Sequence, residues 1–363
     1  MLKEVSVRNF RNLNIRKLEF YSGFTILVGG NGQGKTNVLE ALYCLSYGKS
    51  FRGLGTQAIN WQENEARVFG RTDNESIEIF ISRDQENKIL INGKTKAIPA
   101  LLGRFVSVIF HPQEIELIFG PPILRRSWLD RTIATVDKTY LHALLNYQKA
   151  LQHKNKLLKT GAGQDAEIEA WNKSLSAHGT KIWQVRKGTV DAINQQLKGV
   201  ATQLAGRQIF LEYKNPLVGK DTAAAESSYL KTLASQRELE RRFLVTLFGP
   251  HRDDFKVVAE EKSEKNILQK ELANFGSRAE QRQAAILLKL TEARLFAKFF
   301  GKAPTLLLDD IASELDSRNR GLLLEHLFGG QYIITTTALD SLPAAVRDKA
   351  RILVIRNGEI ADS

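Results

Sequence analysis

"LVGGNGQGKT", Leu27 to Thr36, decides how the rest of the chain is read. It sets four glycines and a lysine directly after the apolar run "FTILV", Phe24 to Val28. From Gly29 to Thr36 the spacing is G-x-x-x-x-G-K-T, a phosphate-binding loop. Glycines let the backbone curl until successive N–H groups point at one anion. Lys35 supplies a point charge near the β- and γ-phosphates, and the Thr36 hydroxyl is a ligand for Mg²⁺. Residues expected to touch ATP here are Gly29, Gly30, Asn31, Gly32, Gln33, Gly34, Lys35, Thr36 and Asn37. The β-branched run upstream predicts a buried strand. Downstream, Val38, Leu39, Ala41, Leu42 and Leu45 recur at helical spacing and Gly48 is a plausible stop. Strand, glycine loop and helix together let loop amides and a helix dipole hold phosphate.

A phosphate loop needs a metal-positioning acid on a neighbouring strand. "PTLLLDDIASELD", Pro304 to Asp316, supplies an apolar run that ends in Asp309-Asp310. Asp309 is expected to hold Mg²⁺ with Thr36, and Asp310 to orient or deprotonate the attacking water. Lys35 and Asp309 stand about 270 residues apart, so something large is inserted between them.

The insertion has its own character. Up to about residue 110 the chain reads as short strands, among them "LKEVSVRNF" and "SIEIFISR", with a turn at Asn92-Gly93. From Pro121 to about Gln203 the spacing is helical, broken at "KTGAGQDA", without the sustained heptads of a long coiled coil. A brief strand, "RQIFLEY", and a helical stretch around Leu230 to Leu247 follow, and strands and helices mix again from Gly249. The expected class is α/β: an ABC-type phosphate-loop ATPase with two lobes and an inserted α-helical domain. Its expected parts are 1–120, a β-rich lobe, 121–248, the helical insertion, and 249–363, the ATPase domain continued.

Bulk properties narrow the setting. No run of about 18 apolar residues exists, which argues against a membrane-spanning helix. The N-terminal "MLKEVSVRNFRN" lacks the apolar core of a secretion signal. A single cysteine, Cys44, excludes an internal disulfide and suits a reducing cytosol, so a cytoplasmic location is expected. The net charge of +12 suits a polyanionic partner, nucleic acid first.

"ANFGSRAEQRQAAILLKLTEARLF" begins at Ala273, and Ser277 with Glu280 makes a capping box before a strongly helical run. The bland reading is a helix cap. In this setting Ser277 also resembles the signature serine of ABC-type ATPases, which meets nucleotide bound by a second subunit. With three more strings the chain resembles the RecF family of DNA repair proteins, relatives of the SMC-type ATPase heads. These are "HPQEIELIFGPPILRRSWLD" (His111 to Asp130), "GPHRDDF" (Gly249 to Phe255) and "RNFRN" (Arg8 to Asn12). The resemblance covers nearly the whole chain. It implies that Lys35, Thr36, Asp309 and Asp310 serve ATP, Mg²⁺ and hydrolysis, with Ser277 completing the site from the other subunit. It also implies that Arg11 leans on the nucleotide, Arg52 lies near the γ-phosphate, and "SELD" (Ser313 to Asp316) is the D-loop. The implied protein is a weak, DNA-stimulated ATPase that pairs head to head on ATP, clamps duplex or gapped DNA and releases it on hydrolysis. Its implied partners are RecR and RecO, and indirectly RecA.

Four positions depart from the family pattern. Ala279 replaces a usual glycine, Glu280 a usual glutamine, Gln113 stands where an acid is more usual, and Thr337 takes the place of a switch histidine. "GPHRDDF" reads as an ion-paired turn rather than a catalytic cluster. Arg125 and Arg126 fit either DNA phosphates or a pairing with Asp130. The competing functions are the ATPase subunit of a transporter, which the basic charge and both signatures oppose, and a small-molecule kinase, which the signature helix and "SELD" oppose.

Overall fold

The computed structural model describes residues 1–361 except 54, 162–163, 215–220, 263–266 and 311–328. The chain opens with β1 (Leu2–Phe10), β2 (Leu13–Glu19), β3 (Gly23–Val28) and helix α1 (Lys35–Tyr47). Next come β4 (Glu65–Thr72), β5 (Ser76–Ser82), β6 (Lys88–Ile91), β7 (Lys94–Lys96) and β8 (Ser107–Phe110). A helical run follows: α2 (Glu116–Phe119), α3 (Pro122–Val136), α4 (Lys138–Thr160) and α5 (Asp165–Ala205). After it stand β9 (Gln208–Tyr213), α6 (Thr222–Ser235), α7 (Arg237–Phe243), β10 (Phe255–Lys262) and β11 (Ile267–Glu271). The chain closes with α8 (Leu272–Phe275), α9 (Arg278–Phe300), β12 (Thr305–Leu308), β13 (Gln331–Thr336), β14 (Arg351–Arg356) and β15 (Glu359–Ala361).

These elements form two compact units: Met1–Glu114 with Ala285–Ser363, and Ile115–Ala284. The first holds two six-stranded sheets. One is antiparallel, in the order β2-β1-β4-β5-β6-β7, and the other runs β15-β14-β3-β13-β12-β8. In the second sheet β14, β3, β13, β12 and β8 are parallel, and only β15 runs against its neighbour. Alternation in "SIEIFIS" puts Ile77, Ile79 and Ile81 inward, onto α1 residues such as Val38, Leu42 and Leu45. Each such leucine or isoleucine contributes about 1.5–3 kcal/mol by burial. Close approach of sheet and helix depends on Gly70, where an added Cβ would lie 2.4 Å from Leu45 Cδ1. Cys44 is buried in this core, as its helical position predicts.

The second unit packs α3, α4, α5 and α6 around Trp128, Tyr140, Tyr147, Trp183 and Tyr229, with a three-stranded sheet β11-β10-β9. Its limits differ from the expected insertion. β10 pairs with β9 from Phe255↔Tyr213 to Glu260↔Gln208, so strand pairing ties the segment after Gly249 to the helices before it. The expected break at 248/249 therefore lies inside this unit.

"GPHRDDF" is an ion-paired turn here. Arg125 makes a two-pronged contact with Asp254, Nε to Oδ1 at 2.7 Å and Nη2 to Oδ2 at 2.8 Å. Arg126 donates to the Asp253 carbonyl at 2.6 Å. Asp130 is taken by the buried Arg186, whose Nη2 lies 2.8 Å from Oδ1 and whose Nη1 lies 3.1 Å from Asp253 Oδ2. His251 accepts from the Tyr147 hydroxyl on Nδ1 at 2.6 Å, and burial pushes its pKa down to about 4. A neutral, fully engaged imidazole among paired carboxylates is a structural joint, not a catalytic cluster.

Candidate nucleotide site

The parallel sheet aims five strand ends at one edge, where ligands of such sheets collect. β3 runs into the glycine loop, β12 into Asp309-Asp310, β8 into His111, and β13 and β14 end beside them. Register brings these ends level. Leu308 pairs with both Phe110 and Ile334, so Asp309 falls between His111 and Thr335.

The contacts follow from that register. Asp309 Oδ1 accepts from the Thr36 hydroxyl at 2.8 Å and from the Thr335 hydroxyl at 2.8 Å. His111 Nε2 lies 3.4 Å from Asp309 Oδ2, and burial pushes the imidazole pKa down while Asp309 and Glu114 oppose it. Lys35 Nζ donates to the carbonyls of Gly29 and Gly30, both at 2.8 Å. Burial lowers its pKa too, against the pull of Asp310 and Asp309. A hydroxyl and a buried carboxylate sharing a hydrogen bond beside a lysine form a hard-oxygen donor set, which fits Mg²⁺.

A cavity of about 230 Å³ opens over the loop, lined among others by Gly32, Lys35, Asn37, Arg52, Asp310 and Thr337. A second, of about 400 Å³, flanks the loop's other side between Gly29, Gln33 and Val354 to Arg356. The loop is braced from two directions. Asn357 and Gly358, the turn between β14 and β15, donate their N–H groups to Gln33 Oε1 at 2.7 Å and to its carbonyl at 2.9 Å. On the other side, Asn12 bonds Asn37 and Gly32. Gly34 has φ 106°, and a Cβ there would meet Asn12 Oδ1 at 2.8 Å, so glycine is required twice over.

The remaining expected residues fall as follows. Arg52 lines the cavity, bonded to Asn37 Oδ1 at 2.9 Å. Arg11 is bonded to Glu40 and to the Gln57 carbonyl. Asp310 has φ 47° and donates its N–H to Thr335 Oγ1 at 2.9 Å. Gln113 is exposed, with its N–H on His111 Nδ1. Ser277 lies in the second unit, at the start of α9, in a reciprocal cap with Glu280. Ser313 to Asp316 lie outside the described residues. Asn12 and His111 stand only as the ends of two family strings, and Glu40 and Thr335 have no diagnostic spacing, so sequence alone marks none of the four as a site residue.

Residues 1–359 match the family described as RecF/RecN/SMC N terminal domain. "DNA replication and repair protein RecF" of Thermoanaerobacter sp. (strain X514) is 34% identical over 347 residues, covering 93% of this chain and 94% of that protein. The protein of the same name from Moorella thermoacetica is 33% identical, over 98% of this chain and 95% of its own length. Among solved structures, one described as the recombination mediator protein RecF-ATP in the RecFOR pathway superposes with a TM-score of 0.89. It is 32% identical and covers 99% of this chain and 96% of that one. An Smc head domain from Pyrococcus furiosus, 19% identical with a TM-score of 0.54, shares the fold.

Proposed function

Because this chain belongs to the RecF branch of the RecF/RecN/SMC N-terminal domain family, we propose that it binds and hydrolyses ATP with Mg²⁺ and switches its hold on DNA by doing so. The observation that carries this reading is the meeting of Thr36 and Asp309 beside Lys35 at the end of a parallel sheet. A relative of 32% identity and matching length is described as an ATP complex in the RecFOR pathway.

Each residue has a defined task. Loop N–H groups from Gly30 to Thr36 bind the phosphates. Lys35 leaves the Gly29 and Gly30 carbonyls for the β- and γ-phosphate oxygens when nucleotide arrives. Thr36 and Asp309 would hold Mg²⁺, which would supply positive charge against the transferred phosphoryl group. Thr335 and His111 fix the Asp309 carboxylate so that one oxygen remains aimed at Thr36. Asp310, on the cavity wall, orients the attacking water and takes its proton. Arg52 adds positive charge to the same wall.

Ser277 is the nucleotide-facing end of α9 for a second copy of the chain. Two heads pairing through ATP would close on duplex or gapped DNA, and hydrolysis would open them. RecR and RecO are the partners this function implies, with RecA loading as its outcome. The +12 net charge supports a polyanionic substrate. A transporter subunit is the weaker reading, since the full-length relatives of known name are repair proteins.

Analytical ultracentrifugation with and without ATP–Mg²⁺ tests the switch, alongside retention of labelled duplex under the same conditions. ATP-dependent dimers that hold duplex more tightly are expected. A monomer in both states, or nucleotide-independent retention, would sink the clamp while leaving the ATP site standing.

A further inference from the structure

Glu40 sits in α1 one turn beyond the phosphate loop, with none of its surface exposed. Three side chains from two other segments converge on it. Arg11 Nη2 donates to Oε1 at 2.8 Å and its Nε to Oε2 at 3.2 Å. Arg52 Nη1 donates to Oε2 at 3.1 Å, and the Ser50 hydroxyl to Oε1 at 2.5 Å. Arg11 approaches from the β1–β2 turn, its backbone in the left-handed region at φ 54°. Ser50 and Arg52 come from the loop after α1.

The charge count within this cluster is informative. One buried carboxylate is compensated by one cation, and a second cation leaves a surplus positive charge. Its location is set by where each guanidinium has donors left. Arg11 has Nε and Nη2 on Glu40 and Nη1 on the Gln57 carbonyl at 2.6 Å, so all three of its nitrogens are engaged. Among the described residues Arg52 is held by Nη1, shared between Glu40 and Asn37 Oδ1, and its side chain forms part of the cavity wall with Lys35 and Asp310.

We propose that Glu40 is a positioning residue of the nucleotide site: it fixes Arg52 toward the phosphates, while Arg11 neutralises Glu40 from behind and acts only through it. Arg52 touches nucleotide and Arg11 does not. Ser50 completes the device, since its hydroxyl also accepts the Arg52 backbone N–H at 2.9 Å and so fixes both ends of that residue. The inference rests on the cavity being the ATP site.

A mutant cycle on the full chain tests it, read as the ATP–Mg²⁺ dissociation constant by calorimetry. Arg52→Ala and Glu40→Gln should each weaken binding on the order of tenfold, the scale of one hydrogen bond to a charged group. The double variant should bind like Arg52→Ala alone, because Glu40 acts through Arg52. Additive losses would overturn the proposal, as would a folded Glu40→Gln protein with parental affinity and only a lower melting temperature. If Glu40→Gln alone does not fold, Glu40→Gln with Arg11→Gln removes one charge of each sign and should reproduce the Arg52→Ala loss. Parental affinity in that pair would equally overturn the role. A parent that binds no ATP overturns the site reading and this inference with it. A parent that binds, with additive losses, overturns this inference alone.

Discussion

The Ser277 N–H donates to Glu280 Oε2 at 2.6 Å, while Ser277 Oγ accepts the Glu280 N–H at 3.3 Å, so a carboxylate closes the end of α9 that a signature motif would offer to phosphate. Lys270 and Arg207 also pair with Glu280. Burial works against the charge, yet the hydrogen bonds from Ser277 and Lys270 hold its pKa down at about 2, so it is ionised throughout the neutral range.

In the proposed dimer an anion on that end would oppose the triphosphate of a partner head. Glu280→Gln keeps an acceptor for the Ser277 N–H and removes the charge. Each helix end should gain about 0.3–1 kcal/mol toward phosphate, and a dimer has two, so ATP-dependent pairing should tighten roughly 3- to 30-fold. Ser277→Arg, by contrast, should leave ATP binding intact and abolish pairing. Sedimentation with ATP–Mg²⁺ separates these outcomes. Equal dimerisation in both variants and the parent would reduce Ser277 to a helix cap.

Lys35→Ala should lose ATP binding by at least tenfold and keep its fold. Among the described residues the ammonium bonds the Gly29 and Gly30 carbonyls, which water can satisfy once it is gone. Lys35→Arg should bind but hydrolyse poorly, because a planar fork does not reproduce a compact charge. Calorimetry with ATP decides, and an alanine variant with parental affinity would remove the loop from the mechanism.

Motifs whose chemistry dictates spacing were legible from residue order. The loop from Gly29 to Thr36 and the apolar strand before Asp309 needed only that, and "SIEIFIS" announced its inward face by alternation. Glu40, Asn12, Thr335 and His111 were not legible. Each acts through a contact made by sheet register or by a loop returning over α1, and neither a lone polar residue (Glu40, Thr335) nor the end of a family string (Asn12, His111) carries a trace of that contact. The limit of the second unit was missed for a related reason. Pairing of β10 with β9 joins residues about 45 apart across two helices, and local composition does not register such pairing.

Arg186 gives a test of that second unit. Its guanidinium is buried between Asp130 and Asp253, and it also donates to the Pro250 carbonyl at 2.7 Å. Arg186→Ala leaves two partly buried carboxylates without their cation and should cost about 3–5 kcal/mol. Urea unfolding followed by tryptophan fluorescence measures it, since Trp183 bonds Asp253 Oδ2 directly. A loss below about 1 kcal/mol would mean the network rearranges around water.

DNA affinity should fall steeply with salt and show little sequence preference, as expected of a chain with net charge +12 and no base-reading motif. Fluorescence anisotropy over a salt series, on two unrelated duplexes, measures both. A flat salt response or strong selection of one duplex would contradict a backbone-reading clamp.

Asp310 carries the sharpest division of labour. Asp309 is buried against Thr36 and Thr335, where it must stay charged to hold a metal. Asp310 lies one residue on, with φ 47°, a left-handed conformation that aspartate and asparagine tolerate better than most residues. Its N–H is fixed to Thr335, and the residue lines the cavity over the glycine loop. Asparagine therefore fits the backbone and keeps one acceptor oxygen, but it loses the basicity needed to take a proton from water. Asp310→Asn should bind ATP as the parent does, form the dimer, and hydrolyse on the order of 10²–10⁴-fold more slowly. Where ATP keeps the heads closed, the same variant should also leave labelled duplex more slowly in a competitor chase. Both rates come from one preparation. Slow turnover with fast release would keep Asp310 as the base and remove the clamp. Parental turnover would pass the task of activating water to another residue, with Glu314, which lies outside the described residues, the first to substitute.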